Sequence, residues 1–330
     1  MKKTVSKFSI LVTGYVILIM AWFVSWLVVG DANWWLVLVN RLVPYLFIPV
    51  PILLFWSIRS RKYRDIVLLL IPALIFVWLY RPYVFPKNLQ SGSSDGQLRV
   101  MTYNVLFSNF DYDAVANIVL VYEPDLVALQ EVKPEMMDAL KDRLAGKYPY
   151  SVFGTENDYG TTTVFSKSPL DVSYILDLQA DRPAVVVKTK VHGRNVTFAS
   201  LHLLAYNLWW TKLKDIPEVV MQRTANQNRQ AKILLNDLEK DDGIVIVGCD
   251  CNSYETSGSY RILEQSMESA ARKVGWLLNK NELPNAKQDV VLQHIDHIWF
   301  RGEVEPVRMY KIKDDGGSDH LPVLAIFDFR

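Results

Sequence analysis

The sequence predicts an α/β protein, a four-layer α/β/β/α sandwich preceded by about three transmembrane helices. Three observations lead there. Residues 1–87 hold three long apolar runs almost free of charge. From residue 98 onward, short β-branched runs are interspersed with helical stretches, as expected of two sheets packed face to face with helices outside. Many of those short runs end in a carboxylate, an amide or an imidazole.

The first apolar run, Phe8 to Val29, carries no charge and is long enough to cross a hydrocarbon core of about 30 Å. No small-residue cleavage site separates it from the next run, which argues against a removable signal peptide. The second run spans residues 34–58, with Arg41 near one end and Pro44, Pro49 and Pro51 inside. Membrane helices tolerate proline, and an arginine near a helix end can reach the interface. The third run covers residues 66–85, and its uncharged part stops at Tyr80. A re-entrant hairpin is the alternative for the second and third runs. Lys2, Lys3 and Lys7 precede the first run, and Arg59, Arg61, Lys62 and Arg64 separate the second from the third. The positive-inside rule puts both groups in the cytoplasm, which with three spans leaves residues 91–330 outside the cell membrane. One span fewer would reverse that. Residues 88–97 read as a flexible polar linker, and 98–330 as the second domain.

Charge separates the two parts. Residues 1–90 carry 10 Lys and Arg against 2 Asp and Glu; the rest of the chain carries 26 against 33. An acidic domain has a poor general grip on nucleic acid, although local basic grooves are not excluded. The two cysteines, Cys249 and Cys251, are too close for an ordinary disulfide scaffold. Without a second pair they make half a metal site at best, so buried thiols are expected.

Within the second domain, strands are expected at Leu98–Val105, Leu126–Leu129, Thr161–Ser166, Ala184–Val191, Asn195–Leu201, Ile244–Val247, His294–Phe300 and Leu321–Phe329. Helices are expected at Asp113–Tyr122, Pro134–Leu144 and Arg223–Glu239. Asp250 and Asn252 are two apart, so on an extended segment both would face one way and the cysteines the other.

The ordered motifs Thr102-Tyr103-Asn104-Val105, Gln130-Glu131-Val132, Ser166-Lys167-Ser168-Pro169-Leu170, Ser200-Leu201-His202-Leu203, Asp250-Cys251-Asn252, Ile295-Asp296-His297-Ile298 and Ser318-Asp319-His320 resemble the endonuclease/exonuclease/phosphatase superfamily over residues 98–330. That superfamily includes DNase I-like nucleases, sphingomyelinases and inositol-phosphate phosphatases. The apolar N-terminus further resembles a membrane-attached bacterial branch.

The resemblance implies a metal-dependent phosphoester hydrolase. Glu131 is the expected ligand of Mg²⁺, with Mn²⁺ as the alternative, because a hard cation prefers oxygen donors. Asn104 and Asp319 are expected to support the metal. Asp250 would orient the attacking water and Asn252 would bind a phosphoryl oxygen. Asp296 would fix the imidazole of His320, and His202 would donate a proton to the leaving oxygen or stabilise charge there. His192, His294 and His297 are read as structural.

Between His202 and the Arg223 helix lies an apolar, aromatic segment containing Tyr206, Trp209 and Trp210. It reads either as core packing or as a surface that contacts membrane lipids, with Arg223 a candidate phosphate contact. Three functions stay open on the sequence: hydrolysis of a lipid-linked phosphate or pyrophosphate, cleavage of external nucleic acid, and non-catalytic binding on an inherited fold.

Overall fold

A computed structural model describes residues 6–84, 96–155, 157–180, 182–275 and 295–330. Five helices open the chain: α1 (Lys7–Val29), α2 (Trp34–Asn40), α3 (Val43–Leu46), α4 (Pro49–Arg59) and α5 (Tyr63–Val84). The helices α1 and α5 are long and apolar enough to cross a membrane. At 1.5 Å per residue each is roughly 33 Å long. The run expected as one span over 34–58 is instead a pair of helical stretches, Trp34–Asn40 and Val43–Arg59, meeting at 75°. Proline accompanies the interruptions: Pro44 lies just past the bend and Pro49 and Pro51 open α4, and none has an N–H to give to a continuous helical ladder. The described residues therefore hold two candidate spans, or three if the bent pair counts as one.

The second part contains β1 (Leu98–Asn104), α6 (Tyr112–Tyr122), β2 (Leu126–Val132), α7 (Pro134–Leu144), β3 (Tyr150–Phe153), β4 (Thr161–Ser166), β5 (Leu170–Leu176), β6 (Ala184–Val191) and β7 (Arg194–His202). It continues with α8 (Ile216–Leu238), β8 (Ile244–Asp250), α9 (Gly258–Leu263), β9 (Glu268–Ser269), α10 (Ala270–Val274), β10 (Asp296–Arg301), β11 (Val304–Lys311) and β12 (Val323–Phe329). The strands form two six-stranded sheets, ordered β11-β12-β1-β2-β4-β3 and β5-β6-β7-β8-β10-β9. Each has one parallel pair at its centre, β1 with β2 and β7 with β8.

Three apolar clusters account for the four layers. Val100, Ala128, Val164, Val187, Phe198 and Ile246 belong to the cluster between the sheets. Met101, Val127 and Phe165 pack outward under Ile118 and Leu140 of α6 and α7. Ala199, Val245 and Trp299 pack outward under Leu234 and Leu263 of α8 and α9. The facing sheet comes close at Gly248, where an added Cβ would lie 2.8 Å from the Ala128 Cβ and 3.1 Å from that of Thr102. Polar ties cross the same gap: Gln130 Nε2, which also donates to Thr102 Oγ1 of its own sheet at 3.1 Å, donates to Ser200 Oγ at 3.4 Å, and Ser200 Oγ donates to the Leu129 carbonyl at 3.1 Å.

Some expectations shift. Helix α8 starts at Ile216, seven residues before Arg223, because Pro217 sits at the head of the helix, where its missing N–H costs nothing. β8 runs on to Asp250. The strands expected from His294 and Leu321 begin at Asp296 and Val323, as β10 and β12. His294 and residues 88–95 of the expected linker lie outside the described residues. The cysteine expectation needs correction. Cys249 and Cys251 are both buried, as expected, but they are joined by a disulfide. They share one face, and at the end of β8 their Cα atoms come within 5.1 Å, a separation a disulfide accommodates.

The apolar helices pack directly on this sandwich. Trp26 Nε1 donates to the Thr256 carbonyl at 3.0 Å, Thr256 Oγ1 donates to the Asn40 carbonyl at 2.7 Å, and the Gly258 N–H donates to Asp31. At the opposite end of the helices, Lys62 Nζ donates to Ser6 Oγ at 2.8 Å and Ser9 Oγ to Asp65 at 2.7 Å.

Candidate active site

The site forms along one edge of the sandwich. Asn104, His202 and Asp250 close the parallel strands β1, β7 and β8, and Asp296 opens β10 directly opposite Asp250. Register brings His202 alongside Asp250. His320 comes from the loop before β12. That loop is fixed by Ser318, whose Oγ donates to the Asn104 carbonyl at 2.6 Å and accepts from the His320 N–H at 3.0 Å.

Glu131 departs from the strand around it. The β2–β4 pairing shifts register between Leu129 and Val132, and Glu131 has φ 61°. A non-glycine residue in this region is costly unless its surroundings impose it. Gly160 fits that account, since a Cβ there would lie 2.5 Å from the Glu131 carbonyl carbon and oxygen. The bulge re-aims the carboxylate, and its Oε2 accepts the Phe107 N–H at 3.1 Å.

Asp250 lies at the centre. It is buried, and Oδ2 is 3.2 Å from His202 Nε2, 3.8 Å from His320 Nε2 and 2.9 Å from Asn104 Nδ2. Burial alone would raise its pKa, but the positive charges of His202 and His320 and the hydrogen bonds from His202 and Asn104 hold it well below the usual carboxylate range. His320 is pushed up to about 10: burial opposes its charge, and Asp296 and Asp250 outweigh burial. Its Nδ1 is 3.0 Å from Asp296 Oδ2, so the shared proton rests on the imidazole. Asp319 is exposed at the rim. Its pKa is raised, first by desolvation and then by the negative charges of Glu131 and Asp250, against the pull of His320.

Asn252 reaches the site differently from the extended geometry expected. The strand ends at Asp250, and Asn252 is left-handed at φ 45°, a conformation its short amide side chain tolerates. Its N–H donates to Asp250 Oδ1 at 3.2 Å, and Nδ2 donates to the Leu203 carbonyl at 3.1 Å, clamping the segment after His202. His297 is buried against Tyr260 and Trp299 with Nε2 3.0 Å from the Ser253 carbonyl, in keeping with a structural role.

The sequence reading missed Arg182. Its Nη2 is 3.6 Å from Glu131 Oε1, and its Nη1 is 2.7 Å from His202 Nδ1. It sits in the connection between β5 and β6, more than 50 residues from Glu131, and only an arginine before a proline that precedes a strand could have hinted at it. The expected substrate contacts divide. Tyr206 is turned inward, its hydroxyl 2.8 Å from Thr224 Oγ1. That hydroxyl is therefore satisfied by α8 and does not reach out to a lipid. Trp209 is 92% exposed and Leu213 85%. The side chain of Trp210 lies outside the described residues. Arg223 is half-buried on α8, with no hydrogen bond or ion pair to the site among the described residues.

The donor set fits a hard divalent cation. One ligand atom from each of Asp250, Asp296 and His320 can lie within 4.8 Å of the others. Glu131 and Asp319 add further carboxylate oxygens. Of the expected metal set, Asn104 is turned to protein, its Nδ2 given to Asp250 and its Oδ1 accepting the Leu106 N–H at 3.0 Å.

Residues 101–320 match the family described as the Endonuclease/Exonuclease/phosphatase family. No curated protein matches the sequence. Among solved structures, D. rerio TDP2 complexed with a single-strand DNA product superposes with a TM-score of 0.56 at 18% identity, covering 71% of this chain and 100% of that one. Truncated Caenorhabditis elegans TDP2 gives 0.53 at 16%, covering 71% and 98%. The endonuclease/exonuclease/phosphatase from Bacteroides vulgatus gives 0.53 at 17%, covering 71% and 99%. What these share with the chain is the two-sheet α/β fold.

Proposed function

Because this chain belongs to the endonuclease/exonuclease/phosphatase family, whose members are hydrolases of phosphoester bonds, we propose that it is a membrane-anchored, metal-dependent hydrolase of a lipid-linked phosphate or pyrophosphate. One observation carries the lipid part of this reading: the loops leaving the catalytic strands β7 and β8 rest on the apolar helices. Val37 of α2 packs with Tyr206 and Val220, and the turn after Asn252 is hydrogen-bonded to Trp26 and Asn40 through Thr256. Trp209 and Leu213 stand exposed on the same loop, where an acyl or prenyl chain could lie.

On this reading Glu131 and Asp319 would hold Mg²⁺ or Mn²⁺, and Asn104 would support the site through its hydrogen bond to Asp250. Bound there, the cation would supply positive charge to the phosphoryl and leaving oxygens. Asp250, kept anionic by its two histidines, orients water and accepts its proton. His320, charged and braced by Asp296, binds a phosphoryl oxygen, as do Arg182 and Asn252. His202 stabilises or protonates the leaving oxygen.

The domain division at 1–87, 88–97 and 98–330 and the location outside the cytoplasm belong to the same proposal. Lys7, Arg59, Arg61, Lys62 and Arg64 gather at the helix ends away from the sandwich, and the positive-inside rule puts that end in the cytoplasm. A buried disulfide suits an oxidising compartment.

A nuclease is the second reading, motivated by the DNA product bound to D. rerio TDP2. Turnover by the full-length protein in detergent should be measured on lipid phosphates, lipid diphosphates, nucleotides, DNA and RNA, with Mg²⁺ or with EDTA, and with Glu131→Ala as control. Metal-dependent release of phosphate from a lipid, lost in the control, is the expected result. Preference for DNA or RNA would replace it with the nuclease reading.

A further inference from the structure

Among the described residues, Arg41 forms no ion pair. It caps α2 at the break before α3 and is half-buried where the apolar helices meet the sandwich. Its guanidinium carbon lies 4.5 Å from the centre of the Tyr206 ring and 5.4 Å from that of Tyr254. Nη2 donates to the Tyr254 hydroxyl at 3.2 Å. Among the described residues, that hydroxyl is its one side-chain hydrogen-bond partner, and no carboxylate lies within ion-pair distance. The nearby Asp31 is engaged elsewhere, by the Gly258 N–H and by Asn40 Nδ2 at 3.3 Å. Aromatic faces offset part of the cost of a half-buried cation, but most of the five guanidinium N–H donors are left for another acceptor.

The two tyrosines stand on the loops that carry the chemistry. Tyr206 follows His202 by four residues, and Tyr254 follows Asn252 by two. At no more than ~3.6 Å per residue, the Tyr254 Cα is within about 7 Å of the Asn252 Cα. Arg41 therefore joins the β7 and β8 loops where they meet the apolar helices, through Tyr206, which precedes exposed Trp209 by three residues, and through Tyr254.

We propose that Arg41 is a specificity-determining residue that binds a second phosphoryl group, the one not being cleaved, of a membrane-borne diphosphate. The planar fork of N–H donors suits phosphate oxygens, and the two rings hold it in place. This rests on the lipid-phosphate reading above and narrows it, because a monophosphate has no second group to offer Arg41.

Two measurements on the full-length protein in neutral detergent test the proposal. Calorimetry compares binding of inorganic pyrophosphate and inorganic phosphate to wild type, Arg41→Gln and Arg41→Lys. Wild type should prefer pyrophosphate, and Arg41→Gln should lose about tenfold or more of its pyrophosphate affinity with phosphate affinity unchanged. Arg41→Lys should lose less. Equal pyrophosphate binding by wild type and Arg41→Gln overturns the proposal, as does an equal loss for both anions, which marks a structural role. Turnover of a polyprenyl diphosphate and of its monophosphate in mixed micelles is the second measurement. Arg41→Gln should lower kcat/KM for the diphosphate alone. If neither lipid is hydrolysed while the pyrophosphate difference persists, the lipid reading falls and the anion site at Arg41 stands. If Arg41→Gln instead loses binding to phosphatidylglycerol vesicles with no change toward pyrophosphate, Arg41 serves a headgroup and the proposal fails.

Discussion

His202 and Asp250 end neighbouring parallel strands at matched register positions, and His202 Nε2 lies 3.2 Å from Asp250 Oδ2. The pair acts as a unit: the imidazole holds the carboxylate anionic, and the carboxylate holds the imidazole in place. His202→Ala and Asp250→Asn should each lower kcat by about 10²–10⁴-fold. The double variant should fall little below the worse single one. Multiplicative losses in a steady-state comparison would show that the two groups work independently.

His320 provides a pH prediction for the metal-free protein. Its folded pKa is raised to about 10 from an ordinary 6.5, chiefly through Asp296. The folded state thus binds the proton more tightly than the unfolded chain does. The stabilisation is complete below pH 6.5 and is lost as pH rises through about 10. In EDTA, proton NMR of the histidine rings should show one imidazole still charged at pH 8. Asp296→Asn should abolish that behaviour.

Arg182 should matter although the sequence motifs omit it. Arg182→Gln removes a guanidinium from beside both Glu131 and His202, so kcat/KM should fall about 10–100-fold, with Arg182→Lys recovering part of the loss. An unchanged kcat/KM would place the side chain outside the reaction.

Gly248→Ala tests how tightly the sheets pack at this point. The new methyl would meet Ala128 and Thr102, both on the facing sheet, so about 1–3 kcal/mol of stability should be lost. A lowered Tm in a thermal melt would show it, and an unchanged Tm would mean that the sheets can part there at no cost.

The cysteines can be assayed directly. Denatured protein should take up no alkylating reagent until it is reduced, and two equivalents afterwards, as read by intact mass. Uptake of two equivalents before reduction would restore the thiol reading.

Legibility in the sequence followed burial. β8 and β4, buried along their whole length, announce themselves, β8 as an apolar run and β4 by its β-branched residues. β5 was missed because it lies at a sheet edge with most of its side chains exposed or half-exposed, and β9 because it is two residues long. The polar residues at strand ends were readable because register, set by the apolar pattern, brings them to one edge. Arg182 was not, because its place depends on a connecting loop folding back over the site. Nor was the left-handed turn at Asn252, since spacing by two implies a shared face only while the strand continues. The 75° break after α2 was half legible, with the prolines visible and the angle set by packing.

The hydrogen bonds from Gln130 to Ser200 and from Ser200 to the Leu129 carbonyl, across an otherwise apolar gap, work as a key between the sheets. Apolar faces slide past one another at little cost, because one methyl contact resembles the next. Moving one sheet by a single step would strand a buried amide N–H and a buried hydroxyl without partners, each a penalty of about 1–3 kcal/mol. The sandwich therefore tells its correct alignment from near misses at the end that bears the reacting groups. Misassembled forms should be eliminated there first, before the chemistry of the site enters into it.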